Sequence, residues 1–223
     1  MNTATIRELA KSLTLIEQQR AIVVGLMLGD GHLETQNQGR TYRLKIEQSF
    51  GHREYVDWLY GQLGNLGQTP PRAREQTRVE KVNKKYGFNT LSLASLQFYG
   101  QLFYTRRDFI PRESRHNADY RNGEKVVPKM IGKLVTPLSL AVWFMDDGSI
   151  KSAHHRAKIL NTQAFDSDSI ENLRQMLATR FRIDVTLRKQ KDGIQLYIPS
   201  TEIKKFVSLV EEYIVPSMRY KLS

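Results

Sequence analysis

The 223-residue chain contains no cysteine. That excludes a disulfide framework and any thiolate metal site, and it suits a reducing compartment. Long hydrophobic runs are missing as well. The longest, such as 140–145, fall far short of the roughly 20 apolar residues needed to span a bilayer. The N-terminal stretch MNTATIRELAKSLTLIEQQR has no apolar segment of the secretory kind. It is basic enough to leave an organelle address open, although Glu8 and Glu17 weigh against one. Zinc-ligand spacing is absent too: His154 and His155 are adjacent in a predicted loop, with no His-x-x-x-His pattern. These absences point to a soluble, intracellular protein.

Acidic residues are in the minority, 23 against 34 Lys and Arg, a formal net charge of +11. Such an excess favours a polyanionic partner, because each neutralised phosphate releases counterions. Nucleic acid is the first reading, with an anionic membrane surface or a merely basic enzyme as alternatives. A hydrophobic content of 40% is ordinary for a globular protein, and the length allows two halves that each build a core.

What the chain does have is a repeat. IVVGLMLGDGHL at 22–33 and LAVWFMDDGSI at 140–150 are both apolar runs that stop at Asp-Gly. Start signals precede both: Thr14 with Glu17 for the first, Thr136 with Pro137 for the second. Strands follow. In RTYRLKIEQSF, Tyr42, Leu44 and Ile46 alternate with Arg43, Lys45 and Glu47; in RAKILNTQAF, Lys158 and Ile159 begin an alternation that Asn161 blurs. Each strand reaches a glutamine, Gln48 or Gln163. An amphipathic helix comes next, carrying Val56, Leu59, Tyr60 and Leu63 in one copy and Ile170, Leu173 and Leu177 in the other. A hairpin succeeds it, clearest in DVTLRKQKDGIQLYI with Asp192-Gly193 as its turn signal. A third helix closes each copy, with Ile203, Phe206, Val207, Val210 and Ile214 as the cleaner stripe. The result is an α+β chain of two αββαββα units, 1–105 and 134–223, joined by a polar, basic linker over 106–133.

Either Asp-Gly alone reads as a simple helix stop. Two of them, each on a wholly apolar helix of a repeated unit, suggest a shared task. A carboxylate at a helix C-terminus meets the negative end of the macrodipole at a cost of up to about 1 kcal/mol. A divalent cation offsets this, since it takes carboxylates and free carbonyls together. Gly25 and Gly29 allow a close helix contact, and the natural partner is the counterpart run. That pairing would bring Asp30 and Asp147 together at a hard-cation site, Mg²⁺ foremost, suited to phosphodiester hydrolysis.

VVGLMLGDG at 23–31 and LAVWFMDDG at 140–148, with ILNTQAF after the second, resemble the signature of the LAGLIDADG homing endonucleases, in the single-chain branch with two motifs. That resemblance implies a saddle of two four-stranded antiparallel sheets over DNA, with the motif helices at the domain interface. It implies Asp30 and Asp147 as catalytic and metal-binding acids. Gly29 and Asp146 complete the metal set, Asp146 mainly through its carbonyl. Lys125 and Lys221 would assist, and Gln48 and Gln163 would order active-site water. Mg²⁺ is the expected ion, with Mn²⁺ substituting and Ca²⁺ binding without efficient cleavage. A monomer would cut a long asymmetric double-stranded site, leaving 3′ overhangs. The location would be a mitochondrion, a chloroplast or a prokaryotic cytoplasm. Val142 and Asp146 stand where the consensus has small residues, so the helix contact cannot be symmetric.

The polar strand faces would meet the DNA: Arg43, Lys45, Glu47, Arg72, Arg74, Gln76 and Arg78 in the first copy, and Lys158, Thr162, Thr186, Arg188, Gln190, Gln195 and Tyr197 in the second. The alternative is a non-cleaving relative of the same fold, either an intron maturase that binds RNA or a DNA-binding regulator. A two-carboxylate glycosidase fits the acids but not the charge.

Overall fold

Thr136 starts the second apolar helix as the sequence leads one to expect. Its hydroxyl accepts from Ser139 N–H, the Ser139 hydroxyl reaches back to Thr136 N–H, and Pro137 occupies the first helical position. In the computed structural model, which describes residues 3–67, 69–78, 81–105, 123–152 and 155–223, this start belongs to one of seven helices among eight strands. In chain order they are α1 (Thr3–Ser12), α2 (Glu17–Leu28), β1 (His32–Glu34), β2 (Arg43–Ser49), α3 (Arg53–Leu63), β3 (Arg72–Arg78), β4 (Lys81–Asn89) and α4 (Gln97–Leu102). There follow α5 (Pro137–Asp147), β5 (Gly148–Ser152), β6 (His155–Leu160), α6 (Ser167–Phe181), β7 (Thr186–Gln190), β8 (Gly193–Ile198) and α7 (Ile203–Val210). Helix α2 begins at Glu17 itself, so Glu17 opens the first turn instead of standing three residues inside a box with Thr14.

The fold is α+β with two antiparallel four-stranded sheets of the same topology, β1-β2-β4-β3 and β5-β6-β8-β7. One compact unit comprises 1–16 and 31–125; the other comprises 17–30 and 126–223 and so takes in both motif helices. In the first unit, β2 alternates cleanly: Leu44 and Ile46 are buried, while Arg43, Lys45 and Glu47 are half-exposed. Tyr55, Val56, Leu59 and Leu63 of α3 are buried with them, whereas Tyr60 is only half-buried. In the second unit, Ile170, Leu173, Met176 and Leu177 of α6 and Ile203, Phe206 and Val210 of α7 fill the core with Leu160, Leu196 and Ile198. No helix among the described residues is long and apolar enough to cross a membrane.

The β7–β8 hairpin turns on Lys191 and Asp192, since Gln190 pairs with Gly193. Gly193 is the first strand residue, one place beyond the expected turn. Its φ of 143° and its backbone, on which a Cβ would stand 2.8 Å from the Gln163 carbonyl oxygen, both require glycine. Residues 106–122 of the expected linker lie outside the described residues. Its remainder is not a solvated loop: Val127 and Ile131 are buried, and Val127 N–H donates to the Ser169 hydroxyl at 2.9 Å.

Candidate active site and nucleic-acid interface

Helices α2 and α5 pair at very close range because α2 offers no side chain where α5 presses hardest. A Cβ on Gly25 would lie 2.5 Å from Ser139 O and 2.6 Å from the Val142 Cβ; one on Gly29 would lie 2.4 Å from an Asp146 carboxylate oxygen. Val142 and Asp146, the two departures from a small-residue pattern, therefore fill the gaps left by the two glycines. The contact is asymmetric, as the sequence requires.

Asp146 and Asp147 divide the work at the end of α5. The Asp146 carboxylate accepts the backbone N–H of Asp30 at 3.0 Å and so ties the end of α2 to the end of α5. It contributes more than the backbone carbonyl expected of it. Asp147 ends the helix, and its carbonyl accepts from both the N–H (3.1 Å) and the side-chain amide (2.7 Å) of Asn161. Gln195 in turn donates to the Asn161 side-chain oxygen at 2.8 Å. A run of hydrogen bonds thus links the open face of the sheet to the backbone of Asp147.

Lys221 is 7% exposed and sits at the carbonyl end of α5. The 3-10 turn Pro216–Lys221 delivers it there. Its ammonium donates to Met145 O at 2.5 Å, with Asp146 O at 3.4 Å and Phe144 O at 3.5 Å. This lysine satisfies the last helical carbonyls and offsets the dipole end that the aspartates oppose. Desolvation lowers its pKa, while Asp146, Asp147 and Asp30 pull it back up. All three carboxylates therefore act on one buried cation.

In the first unit, Lys125 is held by the antiparallel bridge between Tyr104 and Lys125, and its ammonium donates to Gly31 O at 2.9 Å. His32, not singled out by its sequence context, lies one residue on, with its Nδ1 at 3.1 Å from the Tyr104 hydroxyl. Desolvation of the ring lowers the His32 pKa; Glu34 opposes this, and Lys125 and Lys45 reinforce it. Gln48 is 8% exposed, on the Leu44 and Ile46 face of β2, and Gln163 lies in the turn after β6, so the two glutamines are not equivalent in local structure.

The open face of the first sheet is as expected. Arg72 and Arg74 of β3 share it with Lys45 and Glu47 of β2 through Gly87 and Lys85 of β4, and Gln76 continues the row. The register adds Lys85 and Asn89, and Glu34 holds Arg43 at 2.6 Å. The Arg78 side chain lies outside the described residues, as do His154 and the side chain of His155.

The second sheet requires a correction. Lys158 and Thr162 are both 0% exposed. Lys158 pairs with Ile198, and Leu160 pairs with Leu196, which puts Lys158 on the core face. Its ammonium donates to Ser223 O at 2.5 Å, and the Thr162 hydroxyl to Ile194 O at 2.6 Å. Neither can face DNA. The open face of β6 carries Ala157, Ile159 and Asn161 instead; Ile159 pairs with Tyr197, beside which Thr186 stands on β7. Arg188, Gln190 and Gln195 share this face, as expected. Asn161 is the residue that blurred the alternation; the blur was the signal of a one-residue change of face.

Among the described residues no group of three His, Cys, Asp or Glu side chains could hold a metal by itself. The donors expected from the sequence are oxygens: the Asp30 and Asp147 carboxylates with the carbonyls of Gly29 and Asp146. Such a set fits a hard cation that completes its shell with water and substrate phosphate, as Mg²⁺ does.

Comparison with known proteins agrees with this architecture. The chain is 29% identical to the DNA endonuclease I-ChuI of Chlamydomonas applanata over 95% of this chain and 97% of that one. It is 30% identical to the cytochrome b mRNA maturase bI2 of Debaryomyces hansenii, covering 93% of this chain and 74% of the relative. A solved homing endonuclease, I-WcaI bound to its DNA recognition sequence, superposes with a TM-score of 0.85 at 23% identity over 100% of this chain and 93% of that one. Residues 20–206 match the LAGLIDADG DNA endonuclease family, and with two motif helices and two matching sheets in a single chain, this protein belongs to it.

Proposed function

We propose that the chain is a homing endonuclease that hydrolyses both strands of a long, asymmetric DNA site. The observation that carries this reading is the close junction of α2 and α5, where the Asp146 carboxylate accepts Asp30 N–H at 3.0 Å and the buried Lys221 ammonium donates to the last carbonyls of α5. Asp30 and Asp147 are the acids, each facing one scissile phosphate. Gly29 and Asp146 carbonyls would join them in holding a divalent ion, Mg²⁺ by preference with Mn²⁺ substituting. When bound, that ion supplies Lewis-acid charge and a more acidic water. Lys125 and Lys221 place positive charge for the developing oxyanion, and Gln48 and Gln163 orient water. Arg43, Lys45, Arg72, Arg74, Arg188 and Gln190 bind DNA from the two sheet faces. Because one chain carries two different units, it works as a monomer, and cleavage leaves 3′ overhangs.

Support comes from the family and from the endonuclease relatives, each of which carries its activity in its own name. A second reading, an RNA-binding maturase, is favoured by the relative in Debaryomyces hansenii. The two are separated by incubating the protein and Mg²⁺ with a randomised double-stranded DNA library, and by measuring affinity for intron RNA in parallel. Specific double-strand breaks establish the endonuclease. Specific binding of RNA without DNA cleavage establishes the maturase instead.

A further inference from the structure

The open face of the first sheet holds two carboxylates among many cations, and their situations differ. Glu34 is neutralised, 2.6 Å from an Arg43 guanidinium nitrogen and 3.9 Å from the Lys45 ammonium. The Glu47 carboxylate, two residues beyond Lys45, makes no hydrogen bond or ion pair among the described residues. It borders a groove of about 270 Å³ whose other walls include Lys45, Arg72, Arg74 and Lys85. The floor is Gly87, which pairs with Glu47 on one side and with Arg72 on the other. A Cβ there would fall 2.2 Å from Ile46 O, so the floor stays bare. Glu47 and Arg72 stand two strands apart, roughly 10 Å between backbones, an acceptor and a donor facing each other over a gap.

A bare carboxylate on a phosphate-binding face is repelled by its ligand unless a donor meets it. In the major groove the donors are exocyclic amino groups; a carboxylate accepts from cytosine N4, and arginine donates to guanine O6 and N7. Resting on the endonuclease reading above, we propose that Glu47 and Arg72 together read one C·G base pair across Gly87, with Glu47 on cytosine and Arg72 on guanine. Lys45 and Lys85, on either side, hold the phosphates that set the register.

The test is the base preference at every position of the target for wild type, Glu47→Gln and Arg72→Gln, measured by binding selection from a library in Ca²⁺. Both variants should lose preference for C·G at the same single base pair, by about ten- to a hundredfold, with other positions unchanged. Uniformly tighter binding by Glu47→Gln would mean only that a repelling charge had been removed, and would overturn the pairing. Loss of preference at two separate positions would overturn it as well. If the wild-type chain selected no DNA sequence at all, the endonuclease reading itself would fall.

Discussion

Two neighbouring aspartates perform different tasks because a helix end separates their surroundings. Asp146 still points along the helix contact and is spent on Asp30 N–H; Asp147 is the last helical residue, directly before β5, where Asn161 holds its carbonyl. Asn161→Ala should therefore leave DNA affinity intact while slowing the strand that Asp147 serves, by up to about a hundredfold for a small displacement. On a supercoiled target plasmid, nicked circles would accumulate; equal slowing of both strands would deny Asn161 this role. Lys158 gives a test that needs no DNA. Burial holds its pKa below the ordinary lysine value of 10.5. Between the folded and unfolded values the unfolded chain binds more protons, so stability rises with pH across that interval, by up to about 1.4 kcal/mol per unit. Urea titrations of Lys158→Met should show a flatter dependence there than wild type. The same residue marks where sequence reading stops. A lysine in an alternating strand is assigned to the wet face by polarity alone, and its pairing with Ile198 and its bond to the Ser223 backbone oxygen show that it points inward.

At the scale of elements, the motif helices were readable because each is an apolar run with one further signal: glycines four residues apart in the first and a capping threonine in the second. The same spacing predicts what breaks them. Gly25→Ala drives a methyl group into Ser139 O and Val142, both rigid, and should cost about 1–3 kcal/mol, measured as a lowered denaturant midpoint with an unchanged slope. The first sheet was equally readable, since Leu44 and Ile46 alternate with charged residues and β3 repeats Arg-x-Arg-x-Gln. The second was not, because β6 is a central strand buried along both faces, where alternation carries no polarity. The anchoring of 123–133 was hidden for a similar reason: a basic composition masks Val127 and Ile131.

Over the whole molecule, the charge of +11 and the bare basic faces predict an affinity dominated by phosphate contacts. If six to ten phosphates are neutralised, binding should weaken by about 10³- to 10⁵-fold between 50 and 200 mM salt, which a fluorescence titration would show; a slope near zero would exclude this mode. The measurement that bears most directly on the two acids is single-turnover cleavage in Mg²⁺ by wild type, Asp30→Asn and Asp147→Asn, alongside DNA affinity. Each substitution should keep affinity and lose the several kcal/mol that a metal site contributes, a fall of more than about a hundredfold in the cleavage rate. Cleavage at the wild-type rate by either variant would contradict the assignment of these helix-end aspartates to catalysis.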